Sequence, residues 1–101
     1  MNLHKLKYVV TVAEEKSITK AAKKLYISQP SLSLSIHAIE DSLGMPLFIR
    51  GKNSVTLTPA GQAYIEWAKM TLESAKHLEA KLSRIKAGSK RQLDIGASWQ
   101  R

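Results

Sequence analysis

At 101 residues the chain is at most one ordinary domain, and a hydrophobic content of 44% excludes a disordered basic tail. Lys and Arg total 16 against 8 Asp and Glu, for a formal charge of +8, and the absence of cysteine excludes disulfides, thiolate catalysis and Cys-ligated zinc. The longest near-apolar run, residues 8–13, is too short to span a bilayer, and residues 1–20 carry no secretory apolar stretch. The expectation is a cytoplasmic protein with no membrane partner and no cofactor. A folded basic chain most often meets nucleic acid, with an acidic protein or a membrane surface second. Residues 1–58 hold eight Lys/Arg against four acids, and residues 59–91 hold seven against three. Folding must therefore arrange the charge.

The first helix spans Leu3 to Glu15, with Leu3, Leu6, Val9, Val10 and Ala13 at helical spacing. Ser17 is a natural N-cap for a second, short helix. Its Ile18, Ala21, Ala22 and Leu25 form one apolar face, and Lys20, Lys23 and Lys24 form the other. Ser28 caps a third helix, where Pro30 is tolerated in the first turn. Leu32, Ile36, Ile39 and Leu43 form its buried stripe, and Gly44 with Pro46 ends it. The opposite face carries Ser31, Ser33, Leu34, Ser35 and His37, short or uncharged side chains that allow close approach to a grooved polar surface.

Residues 47–57 change period. Two β-branched, apolar stretches flank Gly51-Lys52-Asn53, which is turn chemistry, so a small hairpin is expected with Arg50 and Lys52 at its tip. Thr58-Pro59 opens a long helix to about Ala87, with Gly88 as C-cap. Tyr64, Ala68, Thr71, Ala75, Leu78, Leu82 and Ile85 step along it by 4, 3, 4, 3, 4 and 3, a heptad seam suited to self-pairing. Residues 88–101 read as a hinge followed by one strand, Leu93 to Ala97, with no partner in this chain.

Two helices joined by a tight turn, followed by a basic hairpin, describe a mainly α, winged helix-turn-helix of three helices and a β-hairpin, ahead of a long dimerisation helix. The division is a winged helix-turn-helix over residues 1–58, a linker and dimerisation helix over 59–87, and a hinge with a strand over 88–101. Ser33, His37 and Asp41 also share one face of the third helix. Spread along about two turns, they cannot converge on a pocket as a hydrolase requires. His4, His37 and His77 have no metal-ligand spacing. The chain is therefore read as a non-enzyme without a metal site.

The segment Ser17 to Leu25, the run Ser28-Gln29-Pro30-Ser31-Leu32-Ser33, and Ile39-Glu40, Leu43-Gly44, Leu47-Phe48, Arg50, Leu57-Thr58 and Gly61 together resemble the LysR-type transcriptional regulators, in order and at the right spacing over roughly residues 1–87. The resemblance implies a bacterial DNA-binding domain that dimerises through its linker helix. It implies tetramers as an option for the full-length protein. It also implies a further C-terminal effector domain, to which Leu93–Ala97 would contribute a first strand and to which any small-molecule effector would belong. Two departures stand out. Lys16 occupies a place where the family often has Gly, and Leu34 one where a long polar or basic residue is common.

On this reading double-stranded DNA is the partner, at an inverted-repeat site. Gln29, Ser33 and His37 are the candidates for base edges, and Pro30 and Leu34 for thymine methyls. Ser17, Lys20, Ser28, Ser31 and Thr58 are the candidates for phosphates, and Arg50 and Lys52 for the minor groove. Two other readings use the same residues: a protein-interaction module built on the heptad helix, and a sequence-independent architectural DNA binder.

Overall fold

The computed structural model describes residues 3–93. The fold comprises four helices, α1 (Leu3–Glu15), α2 (Ile18–Leu25), α3 (Gln29–Leu43) and α4 (Pro59–Leu93), with a two-stranded hairpin, β1 (Phe48–Arg50) and β2 (Val55–Leu57), between α3 and α4. The strands are antiparallel, with Phe48 opposite Leu57 and Arg50 opposite Val55.

Helices α1, α2 and α3 pack mutually around Leu6, Val9, Val12, Ala21, Leu32 and Ile36, all at or near zero exposure. Val12 belongs to this core although the expected α1 stripe omits it, and Leu3 and Leu43 are exposed at the ends of their helices. Fully buried Ala21 lies where helices approach closely. Leu47, Phe48 and Val55 bring the hairpin onto the same core, and Ile65 and Ala68 bring the start of α4.

The caps follow the sequence. The Lys20 N–H donates to Ser17 Oγ at 3.1 Å, and the Ser31 N–H donates to Ser28 Oγ at 3.2 Å. Gly44 ends α3 at φ +76. Two other residues take the left-handed conformation without being glycine: Lys16 at φ +56, between α1 and α2, and Tyr26 at φ +59, as C-cap of α2. Each costs about 1–2 kcal/mol relative to a right-handed conformation.

Three polar struts fasten the hairpin. The Glu40 carboxylate accepts the N–H groups of Leu47 and Phe48, at 2.7 and 3.2 Å. The Val55 N–H donates to the Lys16 carbonyl at 3.1 Å, and the Thr58 hydroxyl donates to the Pro46 carbonyl at 2.8 Å. Gly61 allows α4 to start against the hairpin, because a Cβ there would collide with the Leu47 carbonyl oxygen.

Helix α4 corrects the expected boundary. It does not stop at Gly88 but continues through Ser89 to Leu93. An interior glycine weakens a helix by only about 1 kcal/mol, and no proline follows to end it. Leu93, expected to open a strand, is the last residue of this helix, and 94–101 lie outside the described residues. The body covers only the first half of α4. Leu78, Leu82 and Ile85 are 56%, 52% and 53% exposed.

Candidate nucleic-acid interface

The turn between α2 and α3 is Tyr26-Ile27-Ser28, and it sets the N-terminus of α3 beside that of α2. The hairpin lies against the same end because Val55 is bonded to Lys16, the residue before the α2 cap. A cleft of 320 Å³ results, lined by Ser17, Ile18, Thr19 and Gln29 on one side and residues 50–55 on the other. Arg50 and Lys52 are its charged residues, and no acid lines it. Both neighbouring helix N-termini direct backbone donors outward, which favours anions.

The outer face of α3 presents Gln29, Pro30, Ser31, Leu34 and His37 as exposed side chains, with Ser33 half-buried among them. Leu34 is 70% exposed on a helix whose other side holds the core residues Leu32, Ile36 and Ile39. Gln29 Oε1 accepts from the Thr19 hydroxyl at 3.2 Å. Ser33 Oγ accepts from Arg50 Nη1 at 3.1 Å. His37 Nδ1 stands 3.5 Å from Glu40 Oε1. The Ser28 hydroxyl donates to Ser31 Oγ at 2.9 Å. Lys20 and Lys52 are exposed, whereas Lys24 pairs with Glu15 at 3.2 Å.

Two of the candidate side chains are engaged within the chain. Thr58 is half-buried, and its hydroxyl is engaged twice: it donates to the Pro46 carbonyl and accepts the Gly61 N–H at 2.9 Å. Its hydroxyl hydrogen is thus directed to Pro46 while its oxygen caps α4. Arg50 ends β1, short of the turn that holds Lys52, and donates to Ser33 on the α3 face. Sequence reasoning missed Thr19 and Asn53, which both line the cleft. Thr19 could have been found from its place two residues after the α2 cap, on the end that meets α3.

The heptad seam divides in two. Ala68 is fully buried in the chain's own core, so it is removed from the expected dimer seam. A heptad pattern records burial and does not distinguish a partner helix from the same chain. Tyr64 packs at the core edge, edge-on to Trp67 with ring centroids 5.6 Å apart, and burial pushes its phenol above the ordinary value. Thr71 is half-buried and donates to the Trp67 carbonyl at 2.8 Å. Ala75 is half-buried, and Leu78, Leu82 and Ile85 are uncovered. Among the described residues no cluster of metal-ligating side chains occurs, and no helix is long and apolar enough to cross a membrane.

Residues 3–62 match the family model described as bacterial regulatory helix-turn-helix protein, lysR family. The chain is 42% identical over 96 residues to the Hca operon transcriptional activator HcaR of Escherichia coli strain K12, covering 95% of this chain and 32% of that protein. It is 38% identical over 96 residues to a probable cat1 operon transcriptional activator of Acinetobacter lwoffii, with the same coverage. Among solved structures, the BenM DBD in complex with catB site 1 DNA superposes with a TM-score of 0.82 at 41% identity, covering 85% of this chain and 96% of that one. The CbnR DBD–DNA complex does so with a TM-score of 0.77 at 38% identity, covering 86% and 99%. The chain spans about one third of the length of the curated relatives it matches. With its two capped helices, acid-free cleft and wing, the chain belongs to the LysR family of bacterial helix-turn-helix regulatory proteins and carries that family's DNA-binding domain.

Proposed function

We propose that the chain acts in transcription regulation by binding an inverted-repeat site on double-stranded DNA as a homodimer, in the cytoplasm and without enzymatic activity. Helix α3 enters the major groove, where Gln29, Ser33 and His37 read base edges and Pro30 and Leu34 meet thymine methyls. Ser17, Lys20, Ser28, Ser31 and Thr58 position phosphates, and the hairpin sets Arg50 and Lys52 toward the minor groove. Residues 3–58 form the reading unit and α4 the pairing unit, through Tyr64, Thr71, Ala75, Leu78, Leu82 and Ile85.

The observation that carries this reading is the cleft between α2, α3 and the hairpin, lined by two cations and no acid. The DNA-bound structures of BenM and CbnR domains at 41% and 38% identity support it. The exposed Leu78, Leu82 and Ile85 support pairing, since an isolated solvated helix end is ordinarily polar all round.

Titration with duplex DNA at several salt concentrations tests it. A dimer that neutralises roughly 6–8 phosphates gives a log–log salt slope of about −5 to −7. A slope shallower than about −2 overturns a dimer gripping two half-sites. Selection from a random duplex pool separates this function from an architectural binder, which would enrich no sequence. A protein-interaction module would show no salt-dependent DNA binding at all.

A further inference from the structure

Thr19 is the second residue of α2 and Gln29 the first of α3, and the Thr19 hydroxyl donates to Gln29 Oε1 at 3.2 Å. We infer that Thr19 is a specificity-determining positioning residue, which holds the Gln29 carboxamide with its oxygen turned inward so that Gln29 meets the base edge with N–H donors alone. This rests on the reading of α3 as the helix that enters the major groove.

A free carboxamide offers one acceptor oxygen and two N–H donors. Its bidentate pairing with adenine uses both kinds of atom: Nε2 donates to N7, and Oε1 accepts from the N6 amino group. The Thr19 hydroxyl engages one lone pair of Oε1 and fixes the plane of the carboxamide, so Gln29 reaches the bidentate geometry only by giving up that bond. Two donors remain, and they match an edge made of acceptors. In the major groove those are O6 and N7 of guanine and O4 of thymine. No carboxylate lines the cleft to draw the amide nitrogen inward instead, and its charged residues are the cations Arg50 and Lys52. Ser17 Oγ, on the same side, already accepts the Lys20 N–H. The base that Gln29 faces is therefore guanine or thymine, with adenine disfavoured at that place.

The test is selection from a random duplex pool with the whole chain, its Gln29→Ala variant, and Thr19→Val and Thr19→Ser. Thr19 is exposed, and valine keeps its shape while removing the hydroxyl, so melting temperature serves as the control for folding. Gln29→Ala identifies the base pair concerned by relaxing it. The wild type is expected to select guanine or thymine there. Thr19→Val is expected to gain adenine on the same strand by about fivefold or more, because the freed amide can turn and pair bidentately. Thr19→Ser keeps the wild-type preference. If the selected pair is A·T, replacing its adenine by 7-deazaadenine leaves wild-type affinity unchanged when thymine O4 is read. A loss of affinity on that replacement overturns the inference, as does a Thr19→Val selection identical to the wild type. If Gln29→Ala relaxes no position although DNA is still bound, base reading by Gln29 itself fails, and the inference fails with it. A Gln29→Ala effect with a silent Thr19→Val defeats the inference alone.

Discussion

Arg50 Nη1 donates to Ser33 Oγ at 3.1 Å, which ties the end of β1 to the outer face of α3. A purely structural role for Arg50 would require an ion pair with Glu40 or Asp41. Glu40 instead spends one carboxylate oxygen on the Leu47 and Phe48 N–H groups. Arg50→Ala is therefore expected to flatten the salt slope by about one unit per subunit and to weaken binding to many sequences. Its melting temperature should stay close to that of the wild type, since an exposed polar pair contributes little. A large drop in melting temperature with an unchanged salt slope would assign Arg50 to the fold instead.

On the proposed reading, Leu34 offers the major groove an apolar surface in place of a hydrogen-bonding one. At 70% exposure it packs on nothing that needs it for folding. Leu34→Ala should leave thermal stability intact and relax preference at one base pair per half-site, at the low end of roughly 1–3 kcal/mol. Measured affinities for single-base operator variants check this. Unchanged preference at every pair would make Leu34 an ordinary exposed leucine.

Lys16 adopts φ +56, a conformation that glycine takes without steric cost. Lys16→Gly should raise stability by roughly 1 kcal/mol in denaturant unfolding, despite the extra chain entropy of glycine. The same substitution removes a cation, so it should also flatten the salt slope if Lys16 faces phosphate. Calorimetry and the salt titration read the two effects separately. A destabilised variant would show that the side chain contributes more than the backbone strain costs.

Leu78 lies on the uncovered part of α4, away from the cleft. Leu78→Asp should yield monomers in sedimentation and lose most affinity for an inverted repeat, with the body still folded. The wild type is expected to be dimeric at about 100 µM, and to bind the full repeat far more tightly than one half-site. A monomer at that concentration, binding both sites equally, would end the pairing role of α4.

Much of the architecture was legible because local chemistry and fold agree. Ser17, Ser28 and Gly44 mark helix ends with side chains or backbone freedom suited to little else. The end of α4 was not legible, because a single glycine such as Gly88 carries two meanings and only tertiary context separates them. Ala68 was misassigned for a related reason: its spacing reports that something covers it, not what does. The polar partners of the site residues escaped altogether. The Thr19–Gln29 and Ser33–Arg50 bonds join residues 10 and 17 apart, and depend on a helix crossing and a hairpin position that periodicity does not encode.

The hairpin consists of two strands of three residues each, well below what holds together alone in water. Its order is borrowed from Glu40 on α3, from the Lys16 carbonyl between α1 and α2, and from the packing of Leu47, Phe48 and Val55. The wing and the helix-turn-helix are therefore expected to open as one cooperative unit in amide exchange. The N–H of Val55 should exchange no more slowly than the amides of α2 and α3, and should lose its protection together with theirs. Contact with DNA at the wing would then also slow exchange at the core-facing amides of α2 and α3.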